Sequence, residues 1–135
     1  MPGSWPYRTE ITDRTSQETI RFQPPAPVFY ATVRYGENLT TLPALIDTGA
    51  SLTVIPHSVA LLLSLRQFSK RTVTSANGQE EERPIFKADL SFLDFSFNDH
   101  PMVSLERRNY MLIGRDIMNR YRATFDGPSL QFSIE

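Results

Sequence analysis

The chain has 135 residues, of which 40% are hydrophobic and 21% charged, a composition typical of one soluble globular domain. Its 14 basic and 15 acidic residues give a net charge of -1, which argues against a dedicated nucleic-acid-binding protein. The absence of cysteine excludes disulfide bonds, cysteine nucleophiles and cysteine-based zinc sites. No apolar stretch approaches the roughly 20 residues of a membrane-spanning helix, and the N-terminus lacks the apolar segment of a secretory signal. We therefore expect a cytoplasmic protein with no membrane partner.

The N-terminal part of the chain differs in composition from the rest. Residues 1–27 are polar, and the prolines at positions 24, 25 and 27 impose extended geometry and remove backbone donors. Ile11, Ile20 and Phe22 are isolated apolar positions that fit a peripheral strand. Trp5 is predicted to lie in a disordered tail, with a docking anchor as the alternative. We expect a polar, proline-rich arm over residues 1–27 and one compact domain over residues 28–135.

From residue 28 onward, the hydrophobic pattern predicts many short strands and one or two short helices. Strands are predicted at 28–35, 39–46, 54–56, 71–75, 83–97, 102–105 and 110–113, and by alternation of apolar residues at 130–134. A short helix is predicted within 57–68, and a second one begins at Asp116, which is expected to cap it. Asn77-Gly78 is the strongest hairpin signal in the chain. The fold class is therefore all-β.

One stretch indicates chemistry, because an apolar strand at 44–46 leads directly into Asp47, Thr48 and Gly49. A carboxylate at the end of an apolar strand is costly unless hydrogen bonds surround it. The backbone N–H of Gly49 can donate one such bond, and the Thr48 hydroxyl can lock the loop by bonding to backbone elsewhere. Taken alone, these three residues favour an ordinary turn, because Asp, Thr and Gly are all common in turns.

A second glycine motif changes that interpretation. Gly114 ends an apolar run at 110–113 and is followed by Arg115 and Asp116, and the predicted hairpin lies between the two motifs. In this order and context, the two motifs resemble those of the retropepsin-like aspartic proteases over about residues 28–134. The resemblance implies a small closed β-barrel-like fold with a flap hairpin and one or two short helices.

The resemblance also assigns roles to residues. It implies that Asp47 is the catalytic aspartate, supported by the loop residues Thr48, Gly49 and Ala50. It implies a flap that closes over a bound peptide, formed by Ala76, Asn77, Gly78 and Gln79. It implies a buried strand behind the catalytic loop, followed by the first residues of a C-terminal helix: Leu112, Ile113, Gly114, Arg115 and Asp116. In the family, the terminal strand, here 130–134, interleaves with its copy from a partner subunit.

The chemistry of this family predicts a homodimer. Aspartic proteases use two carboxylates that share one proton across a bound water, and two such close acids cannot both ionise cheaply. The chain contains one Asp-Thr-Gly, so Asp47 and its copy are expected to meet on a two-fold axis. Ala50 has no hydroxyl to donate to the carboxylate, which predicts a dyad that keeps its proton to higher pH. No metal and no organic cofactor are implied.

The remaining polar residues give weaker predictions. Ser51 and Leu52 supply no acid for Arg115, which is expected to pair instead with Asp116, Glu106 or the N-terminal arm. His57 and His100 lack metal-ligand spacing and are predicted to lie on the surface or in loops. The acidic run at 80–82 is predicted to be solvated and, beside a flap, to disfavour acidic peptides.

Two functions fit the sequence. The first is a homodimeric aspartic endopeptidase that hydrolyses amide bonds in extended peptides or proteins, with pocket walls expected at Ala50, Ile85, Phe86, Val103 and Ile113. The second is a catalytically weak or inactive module of the same fold that binds peptides or mediates dimerisation. The intact Asp-Thr-Gly favours the enzyme, because a scaffold has no need for a costly pair of like charges.

Overall fold

The structure is a computed structural model that describes residues 3–135. In this part of the chain, two short helices are found, α1 (His57–Leu62) and α2 (Arg115–Met118). The strands are β1 (Gly3–Pro6), β2 (Arg8–Thr12), β3 (Thr19–Ala26), β4 (Val28–Tyr35), β5 (Asn38–Ile46), β6 (Val54–Pro56), β7 (Gln67–Thr74), β8 (Glu80–Phe92), β9 (Phe95–Leu105), β10 (Met111–Ile113), β11 (Ala123–Asp126) and β12 (Gln131–Ile134).

Six strands close into a barrel in the order β4-β5-β10-β6-β9-β8, with β8 pairing back onto β4. Strand β10 runs parallel to β5, and β6 runs parallel to β9, whereas the other neighbouring pairs are antiparallel. Strand β7 continues the sheet beyond β8 as the second arm of a hairpin. The predicted all-β class and closed barrel are confirmed.

The barrel interior is filled by side chains that alternate along each strand. Ala31 and Val33 on β4 are fully buried, whereas Arg34 is exposed, as the two-residue period of a strand requires. Strand β10 is buried on both faces: Met111 and Ile113 belong to the main core, and Leu112 packs into a smaller cluster on the opposite side. Each such side chain stabilises the fold by about 1.5–3 kcal/mol. The strand behind the Asp47 loop is therefore firmly anchored.

The N-terminal segment is built into the fold. Strand β1 pairs with β12, and the Trp5 ring lies 5.6 Å from the Phe132 ring, centroid to centroid. Strands β2 and β3 pair with each other, and their buried Ile11 and Ile20 pack with Val28. The predicted peripheral strand is confirmed, and the disordered tail predicted for Trp5 is wrong, because aromatic packing and strand pairing order it. The boundary at residue 27 stays a prediction.

The last strand, β12, lies between β1 and β11. Phe132 and Ile134 are buried, whereas Leu130 lies in the preceding turn with its side chain exposed. Both edges of β12 are thus paired within the chain. The expectation that this strand interleaves with its copy from a partner is wrong for this arrangement, because β12 has no free backbone edge.

Candidate active site

Backbone hydrogen bonds hold Asp47 at the end of β5. The Asp47 N–H donates to the Ile113 carbonyl at 3.0 Å, and the Ala50 N–H donates to the Asp47 carbonyl at 3.1 Å. The Gly49 N–H donates to Asp47 Oδ1 at 2.9 Å, which confirms the bond predicted from the sequence. Asp47 is half-buried, and Thr48 and Gly49 are exposed. The carboxylate is therefore oriented by its own loop and remains open to solvent.

Gly114 fits beneath this loop because it has no side chain. Its φ of −92° is open to any residue, but a Cβ there would lie 2.8 Å from the Ala50 carbonyl oxygen and 2.9 Å from that of Leu52. The Gly114 N–H donates to Thr53 Oγ1 at 3.2 Å, and the Arg115 N–H donates to the Ala50 carbonyl at 2.8 Å. Leu112, Ile113 and Gly114 thus lie directly behind the Asp47 loop, as the resemblance implied.

The exposed side chain of Arg115 bonds to the Asp47 loop. Its guanidinium donates to the Thr48 carbonyl at 2.7 Å, and it forms no salt bridge with any residue in 3–135. The predicted pairing of Arg115 with Asp116, Glu106 or the arm is therefore wrong. Within the described chain the Thr48 hydroxyl makes no hydrogen bond, and the Arg115 side chain bonds only to the Thr48 carbonyl, so the locking role of the Thr48 hydroxyl stays a prediction.

A polar network supports Asp116 below the loop. His100, only 4% exposed, lies with Nε2 2.8 Å from Asp116 Oδ2, and Thr53 Oγ1 donates to Asp116 Oδ1 at 2.9 Å. Burial raises the pKa of Asp116, but the hydrogen bonds with His100 and Thr53 outweigh it and hold the pKa below its ordinary value of 3.8. The surface position predicted for His100 is wrong.

The role predicted for Asp116 as a helix cap is also wrong. Helix α2 begins after Gly114, whose position carries no side-chain cap, and Asp116 lies within the first turn. Its carboxylate bonds to the network below the loop instead of to the free N–H groups of the helix. Thr53 connects the backbone of Gly114 to this carboxylate, and no motif or pattern in the sequence pointed to it.

A cavity of about 300 Å³ lies beside Asp47. The Asp47 loop forms one wall and residues 71–74 of β7 form another. The other lining side chains come from β6, β9, β10 and the loop before β10: Val54, Val103, Leu105, Arg108 and Leu112. Of the predicted pocket walls, Ala50 and Val103 line this cavity. Phe86 and Ile113 are buried in the main core, and Ile85 packs in a side cluster. These three predicted pocket walls are wrong, because the sequence does not show which face of each strand points inward.

The predicted hairpin is present. Strands β7 and β8 are joined by a turn in which Gly78 has a φ of +83° and the Ser75 N–H donates to the Gln79 carbonyl at 2.9 Å. Ala76, Asn77 and Gln79 line a neighbouring cavity together with Glu106 and Arg107. Strand β7, and not the turn, borders the Asp47 cavity. The flap role of the turn stays a prediction.

Two other features bear on the chemistry of the described chain. Residues 3–135 contain no group of three His, Asp or Glu side chains placed to hold a metal ion. None of the helices in this range has the length and apolar character needed to cross a membrane.

Comparison with known proteins agrees with this geometry. The family model described as aspartyl protease matches residues 31–117, a range that contains both Asp47 and Gly114, and the chain belongs to this family. No curated protein sequence matches the chain.

Three solved structures share the fold. The EIAV protease complexed with the inhibitor HBY-793 is 20% identical, with a TM-score of 0.58 over 70% of this chain and 86% of that one. A retropepsin-like aspartic protease from Rickettsia conorii is 15% identical, with a TM-score of 0.56 over 99% of this chain and 94% of that one. The simian foamy virus protease is 17% identical, with a TM-score of 0.52 over 69% and 92% of the two chains. The retropepsin-like fold predicted from the motifs is confirmed.

Proposed function

We propose that this protein is an aspartic endopeptidase that hydrolyses amide bonds in extended peptides and is active as a homodimer. Its membership of the aspartyl protease family supports the class of reaction. The observation that carries the proposal is the placement of Asp47, whose carboxylate is held by the Gly49 N–H at 2.9 Å on the wall of a cavity. An oriented carboxylate that remains open to solvent suits the activation of a water molecule.

The homodimer follows from the number of acids in the cavity. Asp47 is the only carboxylate among the described residues that line it, and the reaction needs one acid to accept a proton and another to polarise the carbonyl. Thr48 and Gly49 are exposed, so the loop is open to a second copy. Two identical loops that meet on a two-fold axis would supply both carboxylates.

Strand β7 supports the choice of an extended substrate. Within the described chain it is the last strand of its sheet, paired with β8 alone, and residues 71–74 line the Asp47 cavity. An edge strand has free backbone donors and acceptors, which a peptide in extended form can pair with as an added strand. Apolar walls such as Val54, Val103 and Leu112 would then accept alternate side chains of the peptide.

A digest of a peptide library at several pH values, with and without a statine-type inhibitor, tests the proposal. We expect cleavage by the unmodified protein, loss of cleavage in Asp47→Asn, and the same dimerisation and thermal stability in both. Asp94→Asn is the matched control, because Asp94 is exposed in the β8–β9 turn and outside the cavity. Turnover retained in Asp47→Asn would refute the proposal. Peptide binding without turnover in the unmodified protein would favour the binding module instead.

A further inference from the structure

The cavity beside Asp47 carries an unexpected positive charge. Among the described residues on its walls, Arg71 on β7 and Arg108 in the loop before β10 are the only ionisable ones apart from Asp47. The other walls are neutral, and many of them are apolar, among them Leu52, Val54, Val103, Leu105 and Leu112. Two guanidinium groups thus share this cavity with a single carboxylate, in a chain whose net charge is -1.

Neither arginine is neutralised by a carboxylate. Within residues 3–135, Arg71 and Arg108 form no salt bridge, and the one side-chain hydrogen bond of Arg71 is a long contact of 3.5 Å to Ser51 Oγ. Arg108 also borders the neighbouring cavity, whose walls include Glu80, Glu81 and Glu106. Within the described residues, none of these acids forms an ion pair with Arg108.

Three of the four acids near the hairpin are engaged with other residues, and only Glu80 forms no ion pair within residues 3–135. The side chain of Arg83 is only 9% exposed, and its guanidinium lies 3.3 Å from Glu81 and 3.6 Å from Glu106. Glu82 pairs with Lys70 at 3.5 Å. The run at 80–82, expected from the sequence to repel acidic peptides, lies outside the Asp47 cavity. The acids of the hairpin therefore leave Arg71 and Arg108 available to a ligand.

We infer that Arg71 and Arg108 form a subsite for an acidic side chain, so that the substrates are extended peptides with Glu or Asp close to the cleaved bond. The guanidinium group has a rigid fork of donors that matches a carboxylate, and its hydrogen bonds to a charged partner are stronger than neutral ones. The apolar walls at Leu52, Val54 and Leu112 take a neighbouring apolar side chain of the same peptide. This inference rests on the proposed function, because it places the subsite beside the proposed catalytic carboxylate.

Matched peptides that differ only by Glu or Gln at each position near the cleaved bond test the inference. We expect the unmodified protein to prefer Glu at one position by about tenfold in kcat/KM, as a net gain from charged hydrogen bonds suggests. The double variant Arg71→Gln/Arg108→Gln should bring this ratio close to one, and Arg71→Glu/Arg108→Glu should favour Lys. Raising the salt concentration should lower the preference. Arg107→Gln is the matched control, because Arg107 borders only the neighbouring cavity.

The outcomes separate this inference from the proposed function. Two results would refute the subsite and leave the proposed protease function intact. In the first, Asp47-dependent cleavage occurs but the ratio of kcat/KM for Glu and Gln peptides is near one. In the second, the double variant keeps the preference for Glu. If no peptide is cleaved, the proposed function fails. In that case, the binding of the same peptides, labelled for fluorescence anisotropy, to Asp47→Asn tests whether the subsite exists. Tighter binding of the Glu peptide, lost in Asp47→Asn/Arg71→Gln/Arg108→Gln, supports it, and equal binding of the two peptides overturns it.

Discussion

Replacing Gly114 with alanine tests whether the Asp47 loop depends on the space beneath it. An added Cβ would lie 2.8 Å from the Ala50 carbonyl oxygen, 2.8 Å from the Leu52 carbonyl carbon and 2.9 Å from the Leu52 carbonyl oxygen. Ordinary contacts of a Cβ begin near 3.4 Å, so backbone atoms must retreat by about 0.5–0.6 Å. No flexible side chain is available to absorb this displacement.

The expected loss in the free energy of unfolding follows from the contacts that this displacement disturbs. Two hydrogen bonds cross this contact, from the Arg115 N–H to Ala50 and from the Gly114 N–H to Thr53. Overpacking in a core costs about 1–3 kcal/mol, and we expect the upper part of that range because every clashing atom is backbone. For a chain of this length, a loss of about 3 kcal/mol lowers the Tm by roughly 10 °C.

Urea denaturation and thermal melting of Gly114→Ala and Gly127→Ala measure the effect. Gly127 is the matched control, because a Cβ there has no neighbour within 4 Å. We expect the control to change the free energy of unfolding by no more than about 0.5 kcal/mol. A Gly114→Ala variant as stable as the control would refute the steric account of this glycine.

Three further substitutions test the surroundings of the loop. The pKa of Asp116 lies below 3.8, so its ionised form stabilises the fold above that pH, and this stabilisation is lost as the pH falls through the folded-state pKa. Urea titrations below about pH 4 should therefore show a shallower decline of the unfolding free energy for Asp116→Asn than for the unmodified protein, and equal slopes would contradict this. Ala50→Ser adds a hydroxyl donor and should shift the pH–activity profile towards acid, whereas an unmoved profile argues against a role for this position. Arg115→Gln removes the bond to the Thr48 carbonyl and should lower kcat about tenfold with little change in Tm, and an unchanged kcat would show that the bond does not position the loop.

Local signals predicted most of the loop and its support. The Gly49 N–H bond, the hairpin at Asn77-Gly78 and the buried strand before Gly114 depend on turn chemistry and short apolar runs, which neighbouring residues determine. The barrel followed from the resemblance carried by these motifs.

The burial of His100 was missed because of a bulge in the β8–β9 pair. The pairing shifts between Ala88 and Leu90, and Asp99 on the facing strand has a φ of +51°. Without the extra residue, strict alternation from the buried Phe97 would turn Asp99 inward and His100 outward. A one-residue shift of this kind exchanges the inward-facing and outward-facing positions of the residues that follow it. The hydrophobic pattern of the sequence does not reveal such a shift.

The surroundings of the cavity were missed because they depend on distant parts of the chain. Arg71 and Arg108 lie far apart in the sequence and reach the same cavity only through the hairpin and the loop before β10. Arg83 is buried because Ser104 offers a carbonyl at 2.9 Å, a contact between neighbouring strands that the sequence does not reveal. The pairing of β1 with β12 joins the two ends of the chain in the same way.

The central claim is that each chain supplies one of the two acids required for hydrolysis. Specific activity, measured over a range of protein concentration in which sedimentation reports the monomer and dimer fractions, tests it most directly. We predict that activity per chain rises in proportion to the fraction of dimer and vanishes on dilution to the monomer. Activity per chain that stays constant while the protein is monomeric would contradict the account.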